Sequence, residues 1–351
     1  MEFGVSFQSH IGRTFKHAML AEAVGLDQAW FIDSQLIASD VYACMTLAAE
    51  HTEKIGLGTA ITVADTRVPP VIAHSIATIN QLAPTRVTLG IGAGHTAWRS
   101  MGMPPVTIKA FRHNIEVCKG LLAGESPDFT ARGKTQAISF QDTENGYINI
   151  HDPIPIYVAA SHPRAQSVAG ELGDGVITIS LLDPKVLKAN LKNVTRGFTK
   201  ANRQPSDPFG VVTVGISCVL RAGEAINSDR VLSRVGPRIA VALHYAYEQL
   251  KQGREVPSFM QNFLTKEYCL YMDERWEDIH KTHSRHLHPG EEKFISPDAI
   301  KSMSLTGTRK EILERLDALA RAGLTQFAIS PPWDHIEESI IEFATEIAGR
   351  R

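Results

Sequence analysis

Cysteine is scarce and scattered. Cys44, Cys118, Cys218 and Cys269 are the only four, and no two stand at C-x-x-C or zinc-ligand spacing. That excludes a disulfide framework and a zinc module, so the thiols read as reduced, mostly buried side chains of a cytoplasmic protein. Neither sign of charge is in excess, with 36 Lys plus Arg against 38 Asp plus Glu. Nothing therefore argues for nucleic acid, and no polybasic run argues for a membrane surface. No run of about eighteen apolar residues is present, the length a membrane-crossing helix needs. The opening MEFGVSF reads as a strand rather than as a basic and apolar export signal. What is present suffices for a large α/β core: 351 residues, 43% of them hydrophobic.

The chain repeats strand then helix. Its clearest unit runs from Ile55 to Gly102. Ile55 to Ile61 and Val87 to Ile91 are short, apolar, Gly-punctuated runs, the composition of strands buried on both faces of a parallel sheet. Between them Pro69 and Pro70 open a helix with Val71, Ile72, Ile76, Ile79 and Leu82 at helical spacing. Before this unit, Phe3 to Phe7 and Ala29 to Ile32 read as strands, with Thr14 to Val24 and an Asp40-capped Val41 to His51 as helices. After it come strands at Ile154 to Ala159, Gly175 to Ser180, Phe209 to Val219 and Thr325 to Ser330. Two stretches break the rhythm: residues 125–150, polar and mildly alternating like a small hairpin, and residues 222–304, a longer helical insertion. Thr306, Gly307 and Thr308 then cap a helix from Lys310, with Glu311 placed for a capping box. Eight strands alternating with helices predict a (β/α)8 TIM barrel with insertions, one domain over residues 1–351. A doubly wound sheet is the competing count. The barrel is preferred because ligand-like signals follow strands two to six, and only a barrel gathers those loops around one mouth.

Those signals are specific residues. The third strand stops among Thr59, Ala60, Ile61 and Thr62, small and hydroxyl residues that let a flat ligand lie against backbone. The fourth ends in Gly92, Ala93, Gly94 and His95, where the glycines permit close approach. Pro163 after the fifth strand opens a helix whose free amides suit an anion. His95 is the candidate proton donor, because imidazole titrates near neutrality. Trp98 and Arg99 are candidates for pocket wall and anion contact. His280, His283, His286 and His288 lack an i, i+4 pair and are flanked by Lys281 and Arg285, so they read as a solvated lid segment and no metal site is expected.

Five segments together resemble the bacterial-luciferase-like superfamily of flavin- and deazaflavin-dependent oxidoreductases. They are DSQ after the second strand, GTAIT followed by TR-x-PPVIAHSIATINQLAP, LGIGAGHTAWRSMG, YVAASHPRA and ELGDGVITIS. Within that superfamily they look most like methylenetetrahydromethanopterin reductase and its flavin-dependent relatives. The resemblance implies a non-proline cis peptide between Ala60 and Ile61 beneath the cofactor ring, with Thr62 beside it. It places Gly92, Gly94 and His95 along the ring and ribityl chain. Ala160, Ser161 and His162 fall on the phosphate segment, where Arg164 adds charge, and Ile179 and Ser180 complete that side. Asp33 falls where deazaflavin-using relatives carry an Asp-His pair, but Ser34 replaces the His; Asp33 is kept with His95 as a catalytic candidate.

The resulting expectation is a two-component monooxygenase acting on a small organic substrate with dioxygen and reduced FMN supplied by a partner flavin reductase. The alternatives are an F420-dependent hydride-transfer reductase or dehydrogenase, favoured by the TR-x-PP segment, and a non-catalytic flavin-binding protein. The resemblance further implies a homodimer or homotetramer packed through the helices Val41 to His51 and Val71 to Leu82.

Overall fold

Eight parallel strand positions close on themselves, and a helix packs outside after each. The computed structural model describes residues 1–179, 182–205, 208–256, 258–279 and 286–349, leaving out the side chains of residues 95, 258, 259 and 277–279. In chain order the first half runs β1 (Glu2–Gln8), α1 (Thr14–Ala23), β2 (Gln28–Ile32), α2 (Val41–His51), β3 (Gly56–Thr59), β4 (Thr62–Val63), α3 (Pro69–Leu82), β5 (Val87–Gly92), α4 (His95–Ser100) and α5 (Ile108–Leu122). A hairpin of β6 (Asp128–Ala131) and β7 (Lys134–Ala137) follows, then β8 (Ile156–Ala159), α6 (Pro163–Leu172), β9 (Gly175–Ile179), α7 (Pro184–Lys200), β10 (Gly210–Gly215) and β11 (Ser217–Val219). The insertion carries α8 (Asp229–Lys251), α9 (Ser258–Gln261), α10 (Lys266–Ile279) and α11 (Pro297–Met303). The chain closes with β12 (Leu305–Gly307), α12 (Arg309–Arg321), β13 (Gln326–Ile329) and α13 (Ile336–Phe343).

The strand order is β3-β2-β1-β13-β10-β9-β8-β5-β4, and β3 also pairs with β5, which closes the ring. β3 and β4 are thus two halves of one barrel strand. The fold is the (β/α)8 barrel. Local chemistry explains the outer helices: the Asp40 carboxylate accepts from the Tyr42 and Ala43 amides at 3.0 Å to start α2, and Pro69 opens α3. Of the five aliphatic positions read on α3, Ile72, Ile76 and Ile79 are buried, while Val71 and Leu82 stay nearly half exposed.

Two segments differ from the sequence expectation. The apolar run 209–219 is not one strand, because β10 stops at Gly215 and β11 leaves the barrel to pair in parallel with β12. Both halves are apolar and buried, so hydropathy carries no mark of the break. Thr306 and Gly307 accordingly lie in a strand, and Thr308 alone caps α12, with the capping box to Glu311 in place.

Inside the barrel, bulk is concentrated in two rings. Trp30 on β2 and Tyr157 on β8 fill the centre with centroids 6.0 Å apart, and glycines on nearby strands make room. A Cβ on Gly58 would stand 2.4 Å from the Trp30 ring, and one on Gly210 would stand 2.2 Å from the Tyr157 phenol. The buried indole N–H is satisfied by Gln326 Oε1 at 2.6 Å, and Gln326 in turn donates to Glu2 at 2.9 Å. This plug closes the lower barrel. Above it Ala60, Ile61 and Ala159 pack on Trp30, Ile177, Val212 and Val214, forming a floor of small and aliphatic groups.

Candidate active site

The floor is shaped where β3 gives way to β4. Gly58 pairs with Thr88, but Thr62 pairs with Ile91, so this strand holds one more residue than its neighbour over the same span. That bulge contains the cis peptide bond between Ala60 and Ile61. Two bonds tie it down: Ala60 N–H donates to Phe31 O at 2.8 Å, and the Thr59 hydroxyl donates to Gly90 O at 2.6 Å. The chain presses so closely here that a Cβ on Gly90 would lie 1.9 Å from Thr59 O. Ile61 then leans over Gly92, whose added Cβ would meet Ile61 Cδ1 at 2.4 Å and Ala159 Cβ at 3.0 Å. Gly92 is needed for space. Gly94 is needed for conformation as well, since it caps α4 with φ of 67° and its Cβ would strike Val63.

Asp33, at the end of β2, does not project free into the mouth. Its buried carboxylate accepts from the Val63 amide at 3.2 Å and from Gln35 Nε2 at 2.8 Å. Arg67 completes the set with an ion pair at 2.7 Å, and bridges on to Asp40 at 2.6 Å. Burial works against the Arg67 charge, but the hydrogen bonds and charges of Asp33 and Asp40 outweigh it and raise the guanidinium pKa. All the partners of the Asp33 carboxylate are thus within the protein, and one of them, the Val63 amide, lies just past the bulge. Arg67, which the sequence reading did not single out, is the cation that fixes Asp33 in place; its only signal was the TR-x-PP motif itself. Thr62 is likewise turned away from the mouth, because it shares a face with Ile91 of the outer core and its hydroxyl bonds Tyr42 at 2.8 Å.

The remaining candidates distribute around the rim. Ile179 ends β9 with its side chain 71% exposed, a large aliphatic group left open beside the floor. Ala160 is buried beneath, whereas Ser161, His162 and Arg164 are exposed at the start of α6. His162 caps that helix without a side-chain hydrogen bond and Pro163 is its first residue, so the next amides face outward unsatisfied. Trp98 is buried and anchored through its indole N–H to Ala93 O at 2.7 Å, a wall beneath α4. Arg99 pairs with Glu248 on α8 at 2.9 Å rather than standing free. The side chain of His95 and the whole of Ser180 lie outside the described residues, as do His280 and His283. His286 lies 3.4 Å from Asp334, which brings the end of the insertion over the loop after β13. Among the described residues no helix is long and apolar enough to cross a membrane.

A barrel whose third strand bulges beneath an aliphatic floor, with an open helix N-terminus two strands along the rim, defines a luciferase-like oxidoreductase. Residues 1–326 match the luciferase-like monooxygenase family, and the chain belongs to it. It is 27% identical over 336 residues to a 5,10-methylenetetrahydromethanopterin reductase of Archaeoglobus fulgidus, spanning 95% of this chain and 94% of that protein. An F420-dependent glucose-6-phosphate dehydrogenase of Beutenbergia cavernae is 33% identical over 231 residues, 61% of this chain and 66% of that one. The fold superposes on the coenzyme F420-dependent tetrahydromethanopterin reductase of Methanopyrus kandleri with a TM-score of 0.76 at 22% identity, covering 99% and 98% of the two chains.

These likenesses overturn the two-component FMN monooxygenase expected from the sequence, since the relatives matched in sequence are a reductase and a dehydrogenase, the latter described, like the Methanopyrus structure, as F420-dependent. The partner flavin reductase and dioxygen were implied only by that reading and fall with it. The physical reason is that the small residues and glycines at the strand ends, which suggested a flat ligand, carry no feature that separates FMN from F420.

Proposed function

We propose that this protein is an F420-dependent oxidoreductase that moves a hydride between the deazaflavin and a small organic substrate bound in the barrel mouth. The observation that carries this is the floor: Gly92 covered by Ile61, Ala159 beside them and Ile179 open above make an aliphatic surface that a Cβ at position 92 would fill. A flat tricyclic ring fits such a surface. The likeness to F420-dependent proteins in both sequence and fold supports that choice of ring.

When bound, the deazaflavin supplies a two-electron hydride donor or acceptor. The chain supplies placement. Ala60 and Ile61 back the ring, Gly92 and Gly94 let it approach the backbone, and Ser161, His162 and the α6 amides hold the phosphate with Arg164 adding charge. Asp33 and Arg67 keep the backbone after the bulge in position. Trp98 and Ile179 keep the surface dry, which strengthens every polar contact made there. The exposed apolar side chains of α3, Val71 and Leu82, are the face through which a homodimer or homotetramer would pack.

Titration of the protein with F420 and with FMN, followed by oxygen uptake with each reduced cofactor, tests the reading. F420 should bind at least about tenfold tighter than FMN, a difference of about 1.4 kcal/mol, without oxygen uptake. Tighter binding of FMN overturns it. F420 binding without turnover of any alcohol, imine or pterin-type acceptor would reduce the protein to a deazaflavin carrier.

A further inference from the structure

Helix α8 is a strut across the barrel mouth. Near one end, Arg234 donates to Ser339 of α13 at 3.0 Å, on the element that follows β13. Near the other, Glu248 pairs with Arg99 of α4 at 2.9 Å, on the element that follows β5. In the closed strand order β13 and β5 are four positions apart, so they stand on opposite sides of the barrel. The helix between residues 234 and 248 spans about 21 Å at about 1.5 Å per residue. Val231, Val235, Ile239, Leu243 and Tyr247 bury one face of it in the core of the insertion. The two anchors belong to the other face. Arg238, Val241 and Tyr245 lie between those anchors at the same helical spacing, all half-buried, over the mouth.

Three arginines follow one another at i, i+4 on this helix, and two are neutralised. Arg230 pairs with Glu224 and with Glu342, the latter at 3.0 Å, and Arg234 pairs with Glu338. Arg238 has no carboxylate and no hydrogen bond among the described residues; its Nε is fully buried without a partner, while the residue as a whole stays half-buried. Burial with no compensating anion pushes this guanidinium down to about 10, still charged at neutral pH. A half-buried guanidinium whose Nε is sealed from water without a partner is costly unless an anion arrives to meet its fork.

We propose that Arg238 is the receptor for an anionic group, carboxylate or phosphate, of the molecule bound between α8 and the barrel floor. A guanidinium fork takes either group in two parallel charge-assisted bonds. Under the function proposed above, the group belongs either to the substrate or to the F420 side chain. The inference rests on that reading only for the identity of the occupant, not for the site.

The site is tested first without cofactor. Inorganic phosphate is titrated calorimetrically into wild-type protein, Arg238→Gln, Arg238→Lys and Arg164→Gln. Arg238→Gln should weaken one phosphate site by about tenfold or more, the size expected from losing a charge-assisted pair, while Arg164→Gln keeps that site and Arg238→Lys keeps part of it. The second arm measures affinity for F420 and for its phosphate-free deazaflavin core. Loss of affinity for F420 alone in Arg238→Gln assigns the anion to the cofactor. Unchanged cofactor affinity, with phosphate still bound by the F420-loaded wild type, assigns it to the substrate. Phosphate binding that Arg238→Gln leaves intact, in variants with unchanged melting temperature, overturns the proposal. Failure of F420 to bind the wild type, with phosphate binding still dependent on Arg238, overturns the proposed function and leaves this inference standing.

Discussion

Replacing Gly92 by Ala should disturb the floor through one atom. The new methyl would stand 2.4 Å from Ile61 Cδ1, whereas carbon atoms rest at about 3.5 to 4.0 Å. Ile61 must therefore withdraw by about 1.1 to 1.6 Å, or the strand must yield. Overpacking of this kind costs about 1 to 3 kcal/mol. Ile61→Val alone removes the offending carbon and costs about 0.5 to 1.5 kcal/mol, toward the low end because Ile61 is only half-buried. If the clash is the cause, the two changes compensate, and the double variant should be less destabilised than Gly92→Ala by about 1 kcal/mol or more. Urea unfolding followed by tryptophan fluorescence reads the stabilities, and F420 titration reads the floor. Gly92→Ala should weaken cofactor binding about tenfold by raising Ile61 under the ring, with most of the loss recovered in the double variant. Losses that simply add, to within about 0.5 kcal/mol, would refute the reasoning, because the residues would then be independent.

Further outcomes follow from the network around the site. Asp33→Ala leaves the Val63 amide without an acceptor and Arg67 with Asp40 alone, so a calorimetric melt should show a loss of about 3 kcal/mol; a loss below about 1 kcal/mol would remove its positioning role. Glu22 presents one carboxylate to the amides of Glu53, Lys54 and Ile55 at 3.0, 2.7 and 2.8 Å. Burial opposes its charge, but those hydrogen bonds win and hold its pKa below the usual value. Its contribution is thus present above the unfolded carboxyl pKa and lost as pH falls through the lower folded value. The melting temperature of Glu22→Gln should accordingly change less than that of the wild type between about pH 5 and pH 3. Arg99→Ala cuts one anchor of α8. As an exposed pair it should cost only about 0.5 to 1 kcal/mol, yet amide exchange near residues 245–251 should quicken while the barrel strands stay protected.

The sequence by itself determined the repeat and therefore the barrel. Short continuous apolar runs, proline-opened helices and the Thr308 to Glu311 box are local features, written in consecutive residues and independent of distant contacts. The strand ends were readable for the same reason, because Gly92 and Gly94 announce close approach without naming what approaches. Tertiary structure alone decided the rest. That Gly58 and Gly210 exist to admit Trp30 and Tyr157 depends on which strands the barrel sets side by side. The break between β10 and β11 depends on a partner nearly ninety residues away, at Leu305. Asp33 reads as an acid until Arg67 is folded against it, and nothing in the sequence marks Arg238 until α8 is laid across the mouth. A charge takes its role from the dielectric and the partners around it, and those are properties of the assembled barrel rather than of any segment.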